Sequence, residues 1–178
     1  MPLHENVSWE EVGAISTGGD GHVRDAFKGG FAKKVLLDPT FKLYKFNEYD
    51  TLAARNSDKV SPWWSPYEPY EWDPGWLQRK KTAQDLRVDI RELGRVTSTI
   101  KENWNSLSYL LVIELAHATY AYFGGFAQTR RIDPGGTSKR KAGEGSGGTK
   151  NLPDGGTQFY VPNLTTVDIV AWHAELLA

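Results

Sequence analysis

A chain of 178 residues with a formal net charge of −1 is long enough for one hydrophobic core and too short for two full domains. This near-neutral charge gives no overall field that would hold a polyanion, so we do not expect a nucleic-acid partner. The composition is ordinary for a globular protein except for its aromatic residues, which comprise 7 Trp, 8 Tyr and 7 Phe. Large rings are therefore expected to dominate the core or to line a ligand cleft.

The chain contains no Cys, which excludes disulfides, thiolate nucleophiles and thiolate metal ligands. Its 4 His residues show no metal-ligand spacing, so we expect no metal site. No stretch approaches the roughly 20 apolar residues of a transmembrane helix, and we expect no membrane insertion. Residues 1–30 also lack the basic start and apolar run of a signal peptide.

The polar, Gly-rich residues 1–30 are interpreted as a flexible lead-in to one domain over residues 31–178. The first confident strand is predicted at Phe41–Phe46, where aromatic residues recur and a period of two places Phe41, Leu43 and Lys45 on one face. A plain surface strand is the alternative interpretation of this segment.

The segment Ser61–Trp76 is rich in both Trp and Pro. Its four prolines exclude a continuous helix and a central strand, so its rings must project from extended or turn backbone. Such rings either cover a core or form a stacking platform beside Ser61 and Ser65.

Apolar residues then recur at three- and four-residue spacing from Thr82 to about Ala116, which predicts two helices divided near Gly94 or Thr97. Residues 118–132 predict a strand, a Gly-Gly bulge and a second strand segment that contains Gln128. At the end of the chain, Thr165–Asp168 has capping character, which predicts a short C-terminal amphipathic helix.

Residues 133–156 are dominated by Gly and contain no periodic apolar residues, which predicts a mobile loop or a disordered linker. Basic residues give this segment a cationic character; they are Lys139, Arg140, Lys141 and Lys150. Part of it resembles a phosphate-binding loop, but Pro153 prevents the helix that such a loop requires.

A glycine turn leads directly into a short apolar strand near residue 158. Gly155 and Gly156 allow close backbone approaches, while Gln158 to Val161 have the aromatic and β-branched character of a sheet. Gln158 is therefore predicted at the mouth of a strand, where it can face a crevice.

The segment Gly155–Pro162 resembles the third conserved element of the ADP-ribosyltransferase superfamily. The resemblance is closest to NAD-glycohydrolase toxins of the tuberculosis necrotizing toxin type, in which a Gly-Gly-x-Gln strand start replaces the usual catalytic Glu. Earlier elements match in order and character: Leu43-Tyr44-Lys45 resembles the opening Leu-Tyr-Arg strand, residues 61–65 resemble the Ser-bearing second element, and the strand with Gln128 precedes the Gln strand.

This resemblance implies a single α+β domain with a split, mostly antiparallel ADP-ribosyltransferase-like sheet and flanking helices. It implies that NAD is the substrate, that Gln158 is catalytic and that Lys45 contacts the pyrophosphate. The full set of residues implied to hold NAD is Tyr44, Lys45, Ser61, Trp63, Trp64, Ser65, Gln128, Gly155 and Gly156.

The function implied is that of an NAD-consuming toxin domain. Such a domain is secreted or delivered as the C-terminal part of a larger protein and acts in the cytoplasm of a target cell. The resemblance also implies a cognate immunity protein. Because a Gln side chain can accept a hydrogen bond but cannot act as a general base, water is the favoured acceptor. A transferase that recognises a macromolecular acceptor through residues 133–156 is the alternative. A further alternative is a non-catalytic module that binds carbohydrate or peptide through the Trp63–Trp76 cluster.

Overall fold

The computed structural model describes residues 1–141, 151–152 and 155–177. These residues form a single α+β domain, which confirms the predicted fold class. Its α-helices are α1 (Trp9–Gly13), α2 (Gly75–Leu86) and α3 (Ile90–Thr97). Its strands are β1 (Ser16–Gly18), β2 (Gly21–His22), β3 (Lys33–Leu37), β4 (Lys42–Asn47), β5 (Trp63–Pro66), β6 (Tyr109–Leu115), β7 (Thr119–Gly125), β8 (Thr129–Arg130), β9 (Asn151–Leu152), β10 (Thr157–Tyr160) and β11 (Ile169–Leu176).

Seven strands form the main sheet, in the order β11-β6-β4-β5-β10-β7-β3. Every neighbouring pair in this sheet is antiparallel. Two small antiparallel sheets, β1-β2 and β8-β9, lie outside it. Since consecutive strands of the main sheet are rarely consecutive in the chain, the core depends on long-range pairing.

Strand β6 carries apolar side chains on both of its faces. Leu111 and Ile113 pack in the largest core cluster, whereas Leu110 and Val112 pack in a separate cluster with Trp76. This alternation is the period of a strand whose two faces are both covered. The predicted extension of helix to about Ala116 is therefore wrong: α3 ends at Thr97, and the run of leucines that matched a helical spacing belongs to a strand.

The predicted C-terminal helix is also wrong. The capping residues are present, because Thr165 and Asp168 form a capping box, but they begin only a single 3-10 turn, Thr166–Asp168. Ile169–Leu176 then pairs along its whole length with β6 as an edge strand of the main sheet. Long-range strand pairing has overridden the local helix signal.

The segment 1–30, interpreted from the sequence as a flexible lead-in, contributes a short helix and several buried side chains that pack against the sheet. Helix α1 begins at a capping box formed by Ser8 and Glu11. Val12, Val23 and Phe27 are buried in a cluster with aromatic residues of β7 and β10. The N-terminal segment is thus part of the folded domain and covers one side of the sheet.

Candidate functional site

The prediction that prolines exclude a central strand from Ser61–Trp76 is wrong, because β5 lies in the middle of the main sheet and ends at Pro66. A proline-rich segment can occupy this place because β5 pairs with each neighbour over only two residues. The main sheet divides at strand β5, which pairs with a different neighbour along each half of its length. Trp63 and Trp64 pair with β10, whereas Ser65 and Pro66 pair with β4. Strand β10 therefore stops pairing with β5 at the point where β4 begins to pair with it. The unpaired backbone edges on both sides of β5 can line a crevice. Strand β5 places Ser65 at the point of division.

A cleft of about 510 Å³ opens at this division. This volume lies within the range of small-molecule sites. Four parts of the fold contribute to its lining. The main sheet provides Tyr44, Lys45, Phe46, Trp63, Trp64, Ser65 and Gln158, and the N-terminal segment provides Thr17, His22, Asp25 and Ala26. The residues after α3 provide Ser98, Thr99, Ile100, Trp104 and Asn105, and the region from β7 to β8 provides Phe126, Ala127, Gln128 and Thr129. Among the candidate residues, only Ser61, Gly155 and Gly156 are absent from this lining.

Gln158 lies in the cleft wall with 4% of its surface exposed. Its side-chain Nε2 donates a 2.9 Å hydrogen bond to the carbonyl oxygen of Ala26. Because a carbonyl oxygen only accepts, this bond determines which end of the amide is the donor and leaves Oε1 as the acceptor end. The sequence places a polar group at the strand mouth, and the N-terminal segment fixes its orientation.

Lys45 extends from β4 into the same cleft. Burial lowers the pKa of its ammonium group to about 8. Its Nζ lies 5.8 Å from the centroid of the Trp64 ring, and no carboxylate of the described residues lies within ion-pair distance of it. A desolvated cation without an acidic partner is suited to holding an anionic ligand group.

A buried polar network holds the start of β10 beside the cleft. Asp73 accepts from Thr157 Oγ1 at 2.5 Å, from Arg79 Nη2 at 2.9 Å and from the backbone of Gly75 at 2.8 Å. On the other side of the strand, Ser65 Oγ donates to the Thr157 carbonyl at 3.1 Å. Ser65 thus ties β5 to β10 where their regular pairing has ended, and it fixes the residue next to Gln158.

Aromatic rings of the cleft differ in how much surface they present. Trp64 is 2% exposed, and its indole Nε1 donates to the Ser61 carbonyl at 2.6 Å. Trp63 is half-buried and packs edge-on against Tyr160, with 4.8 Å between ring centroids. Trp104 is exposed at the rim. The Trp63-Trp64 pair is therefore mainly packed into the fold and is not a free stacking platform.

Tyr44 lines the cleft from a buried position. Its ring packs against Trp76, with 5.2 Å between centroids. Burial raises the pKa of its phenol above the ordinary value, so the group stays neutral at physiological pH. Its hydroxyl interacts with Arg79 and Ser65, so Tyr44 shapes the cleft wall and contributes no charge.

The other candidate residues have different surroundings. Ser61 caps the start of β5, with its Oγ accepting from the Trp63 backbone at 3.3 Å. Gly155 and Gly156 line a separate surface groove that also includes Trp72. A Cβ added at Gly156 would lie 2.1 Å from the Thr97 carbonyl oxygen, so this glycine is required for close packing of β10 on α3. Gln128 is exposed at the cleft edge and lies in the β7–β8 connection, so its predicted place within a strand is wrong.

The basic residues of the 133–156 segment that the structure describes are engaged within the fold. Lys139 pairs with Glu48 at 2.9 Å, and Arg140 pairs with both Glu92 and the buried Glu102. These contacts fasten the first part of the segment to the region around α3. Lys150, Pro153 and Asp154 lie outside the described residues, as does most of the segment beyond Lys141.

Several lining residues have no recognisable signal in the sequence. Thr17, His22, Asp25 and Ala26 come from the Gly-rich N-terminal segment, and Thr99 follows α3. Nothing in their spacing indicates a common site, because they converge only when the N-terminal segment folds over β7 and β10. The apolar residues of this segment, Val23 and Phe27, are buried, so their sequence signal indicates packing and not chemistry.

In the part of the chain that the structure describes, no three His, Asp or Glu side chains are grouped closely enough to hold a metal ion. Over the same residues, no helix combines the length and the apolar surface needed to cross a bilayer.

Comparison of the chain with protein-family models, with curated proteins and with solved structures produced no match. The functional argument therefore depends on the geometry of the cleft and on the chemistry of its residues.

Proposed function

We propose that the protein is an NAD-consuming enzyme that cleaves the bond between nicotinamide and ribose, with water as the acceptor. The observation that carries this proposal is the meeting of Lys45, Ser65 and Gln158 in one cleft at the division of the sheet. These residues come from three strands, and their types match the needs of a dinucleotide: a cation for phosphate, a small hydroxyl residue and an oriented amide.

Lys45 provides the anchor for the substrate's pyrophosphate. Its ammonium group is partly desolvated and has no carboxylate partner among the described residues, so an anion that enters the cleft supplies the missing charge. The aromatic surfaces of Trp63, Trp104 and Phe126 offer apolar contacts for the planar nicotinamide ring.

The proposed reaction breaks the glycosidic C–N bond. The bonding electrons leave with nicotinamide, which departs as a neutral molecule, and positive charge develops on the ribosyl ring. Water adds to the anomeric carbon and releases a proton, giving ADP-ribose. Gln158 Oε1 is available to accept a hydrogen bond from a ribose hydroxyl, so its contribution is to orient the ribose as charge develops.

Water is favoured as the acceptor because Gln158 cannot remove a proton from a protein nucleophile. The residue two positions later is Tyr160, so the strand lacks the acidic pair that would serve such a nucleophile. As a toxin domain of this kind, the protein would act in the cytoplasm of a target cell after delivery as part of a larger chain, and an immunity protein would protect the producer.

The direct test is nicotinamide release by purified protein mixed with NAD, in the presence and absence of a cell lysate. We expect release without lysate, reduced about 100-fold or more by Gln158→Ala. Gln84→Ala changes an exposed Gln on α2 and is the matched control, for which we expect wild-type turnover. Label transfer from NAD to macromolecules only when lysate is present would favour the transferase instead.

A binding module that acts through its tryptophans would give a different result. It would show no NAD turnover and would be indifferent to Gln158→Ala. The burial of Trp64 argues against such a module, because a stacking platform requires an exposed ring face.

A further inference from the structure

A backbone carbonyl from the N-terminal segment controls the side chain of Gln158. Ala26 ends the 3-10 turn Val23–Ala26, and its carbonyl oxygen accepts from Gln158 Nε2 at 2.9 Å. The same oxygen accepts from the backbone of Ala127 at 3.0 Å. The carbonyl is therefore held between the cleft wall and the β7–β8 connection and cannot turn away freely.

Packing around Phe27 explains why this carbonyl reaches Gln158. Gly124 lies directly opposite Gln158 in the β7–β10 pairing, so their side-chain positions are on the same face of the sheet. A Cβ at Gly124 would lie 2.8 Å from Phe27 Cδ1. The missing side chain of Gly124 thus makes room for the Phe27 ring, and the preceding residue, Ala26, is brought to the Gln158 amide.

The geometry points to Ala26 as a positioning residue whose carbonyl selects an amide, and not a carboxylate, at residue 158. An amide donates to this oxygen and keeps an acceptor oxygen for the substrate. An ionised carboxylate has no donor, so its oxygen would face the carbonyl oxygen at hydrogen-bond distance in a buried site. The catalytic meaning of this selection rests on the proposed function, whereas the preference for an amide does not.

Gln158→Glu tests the selection directly. A protonated carboxyl can still donate to the Ala26 carbonyl, whereas the ionised form cannot, and burial also disfavours the ionised form. In a ¹³C NMR titration we expect the introduced carboxyl to have a pKa at least about one unit above that of an ordinary glutamate. A pKa at or below the ordinary value would overturn the proposal, whether or not the protein hydrolyses NAD.

Turnover gives a second measurement from the same variant. We expect its kcat to fall as pH rises through the pKa found by NMR, because only the protonated form is held in position. The kcat of the wild-type protein should not fall over that interval, since an amide does not titrate. A wild type without turnover would defeat the proposed function alone, and parallel profiles for the two proteins would defeat the positioning role.

Gly124→Ala and Gly125→Ala form a matched pair that does not alter Gln158. The first introduces a Cβ 2.8 Å from Phe27 Cδ1 and 3.0 Å from the Phe31 carbonyl oxygen, so the Phe27 segment has to move. A Cβ at Gly125 meets its nearest atom at 3.6 Å, an ordinary contact. We expect Gly124→Ala to lower kcat by about tenfold or more with little change in KM, and Gly125→Ala to stay near wild type. If thermal melting shows that both variants are folded and their kcat values are equal, positioning through Phe27 and Ala26 is contradicted.

Discussion

At the scale of single residues, Lys45 is a cation that the fold buries beside the cleft. Its ammonium group is desolvated by the fold, which lowers its pKa to about 8, and the described residues provide no carboxylate to compensate. In the unfolded chain the same group is fully hydrated and ionises normally. Folding therefore carries a penalty at this position that an anionic ligand would relieve.

The pH dependence of substrate binding should follow this pKa. Below about pH 8 Lys45 is charged and, under the proposed function, would attract the pyrophosphate; as pH rises through this value the charge is lost. We expect the KM for NAD to rise between pH 7 and pH 9, and kinetics of Lys45→Arg to show a flat profile because guanidinium stays charged. The same rise in both proteins would mean that another group controls binding.

Removing the charge should separate stability from binding. Lys45→Met relieves the desolvation penalty, so we expect the free energy of unfolding to increase by roughly 1 kcal/mol or more at pH 7. The KM for NAD should rise about tenfold or more, because a charge-assisted contact is lost. Lys59→Met, on an exposed lysine, is the control for urea unfolding and kinetics; a destabilised Lys45→Met protein would show that the charge is compensated in the fold.

At the scale of elements, the geometry of the site depends on short strands that are held in place by specific neighbouring elements. Strand β10 has only four residues, and its start is held against α3 and α2 by packing and by the Asp73 network. Small displacements of this strand would move Gln158 relative to Lys45. The surrounding elements should therefore be sensitive to substitutions that do not touch the cleft.

Gly156→Ala and Gly155→Ala test the packing of this strand. A Cβ at residue 156 would collide with the Thr97 carbonyl, whereas at residue 155 it would make an ordinary 3.5 Å contact. We expect Gly156→Ala to cost about 1–3 kcal/mol of unfolding free energy, and Gly155→Ala to change it by less than about 0.5 kcal/mol. Urea denaturation measures both, and equal midpoints would show that α3 moves aside without cost.

The buried Asp73 should be among the most sensitive positions. Asp73→Ala leaves the Arg79 guanidinium buried beside an unpaired Thr157 hydroxyl, so we expect a loss of about 3–5 kcal/mol. Asp85→Ala breaks an exposed pair with Lys81 and should cost no more than about 0.5 kcal/mol. If the unfolding free energies of the two variants differ by less than about 1 kcal/mol, Asp73 does not stabilise the network as proposed.

Elements differ in how well the sequence predicts them. The alternation in Phe41–Phe46 and the glycine turn before Gln158 are local signals, and strands lie at both places. Leu107, Leu111 and Leu115 also have helical spacing, but strand pairing on both sides of β6 determines the outcome. Local patterns cannot distinguish a doubly covered strand from a helix when the apolar run fits both periods.

At the scale of the whole molecule, the α+β class was expected from the resemblance of a few short segments, and the structure has that class. Strand order was not predictable, since it depends on contacts between residues far apart in sequence. For the same reason the cleft residues on β4, β5 and β10 could be nominated individually, whereas Ala26 and its neighbours could not. Their role depends on the N-terminal segment crossing the finished sheet.

The binding of NAD in the cleft at the division of the sheet is tested most directly by NMR of the tryptophan indole N–H groups. Of the 7 Trp residues, Trp63, Trp64 and Trp104 line the cleft. When NAD is titrated into Gln158→Ala protein, in which turnover is expected to be slow, we expect these three signals to shift and to saturate together, while Trp172 on the edge strand stays unchanged. Saturating NAD that leaves the three signals in place, or shifts only Trp72 beside the separate groove, would contradict NAD binding in this cleft.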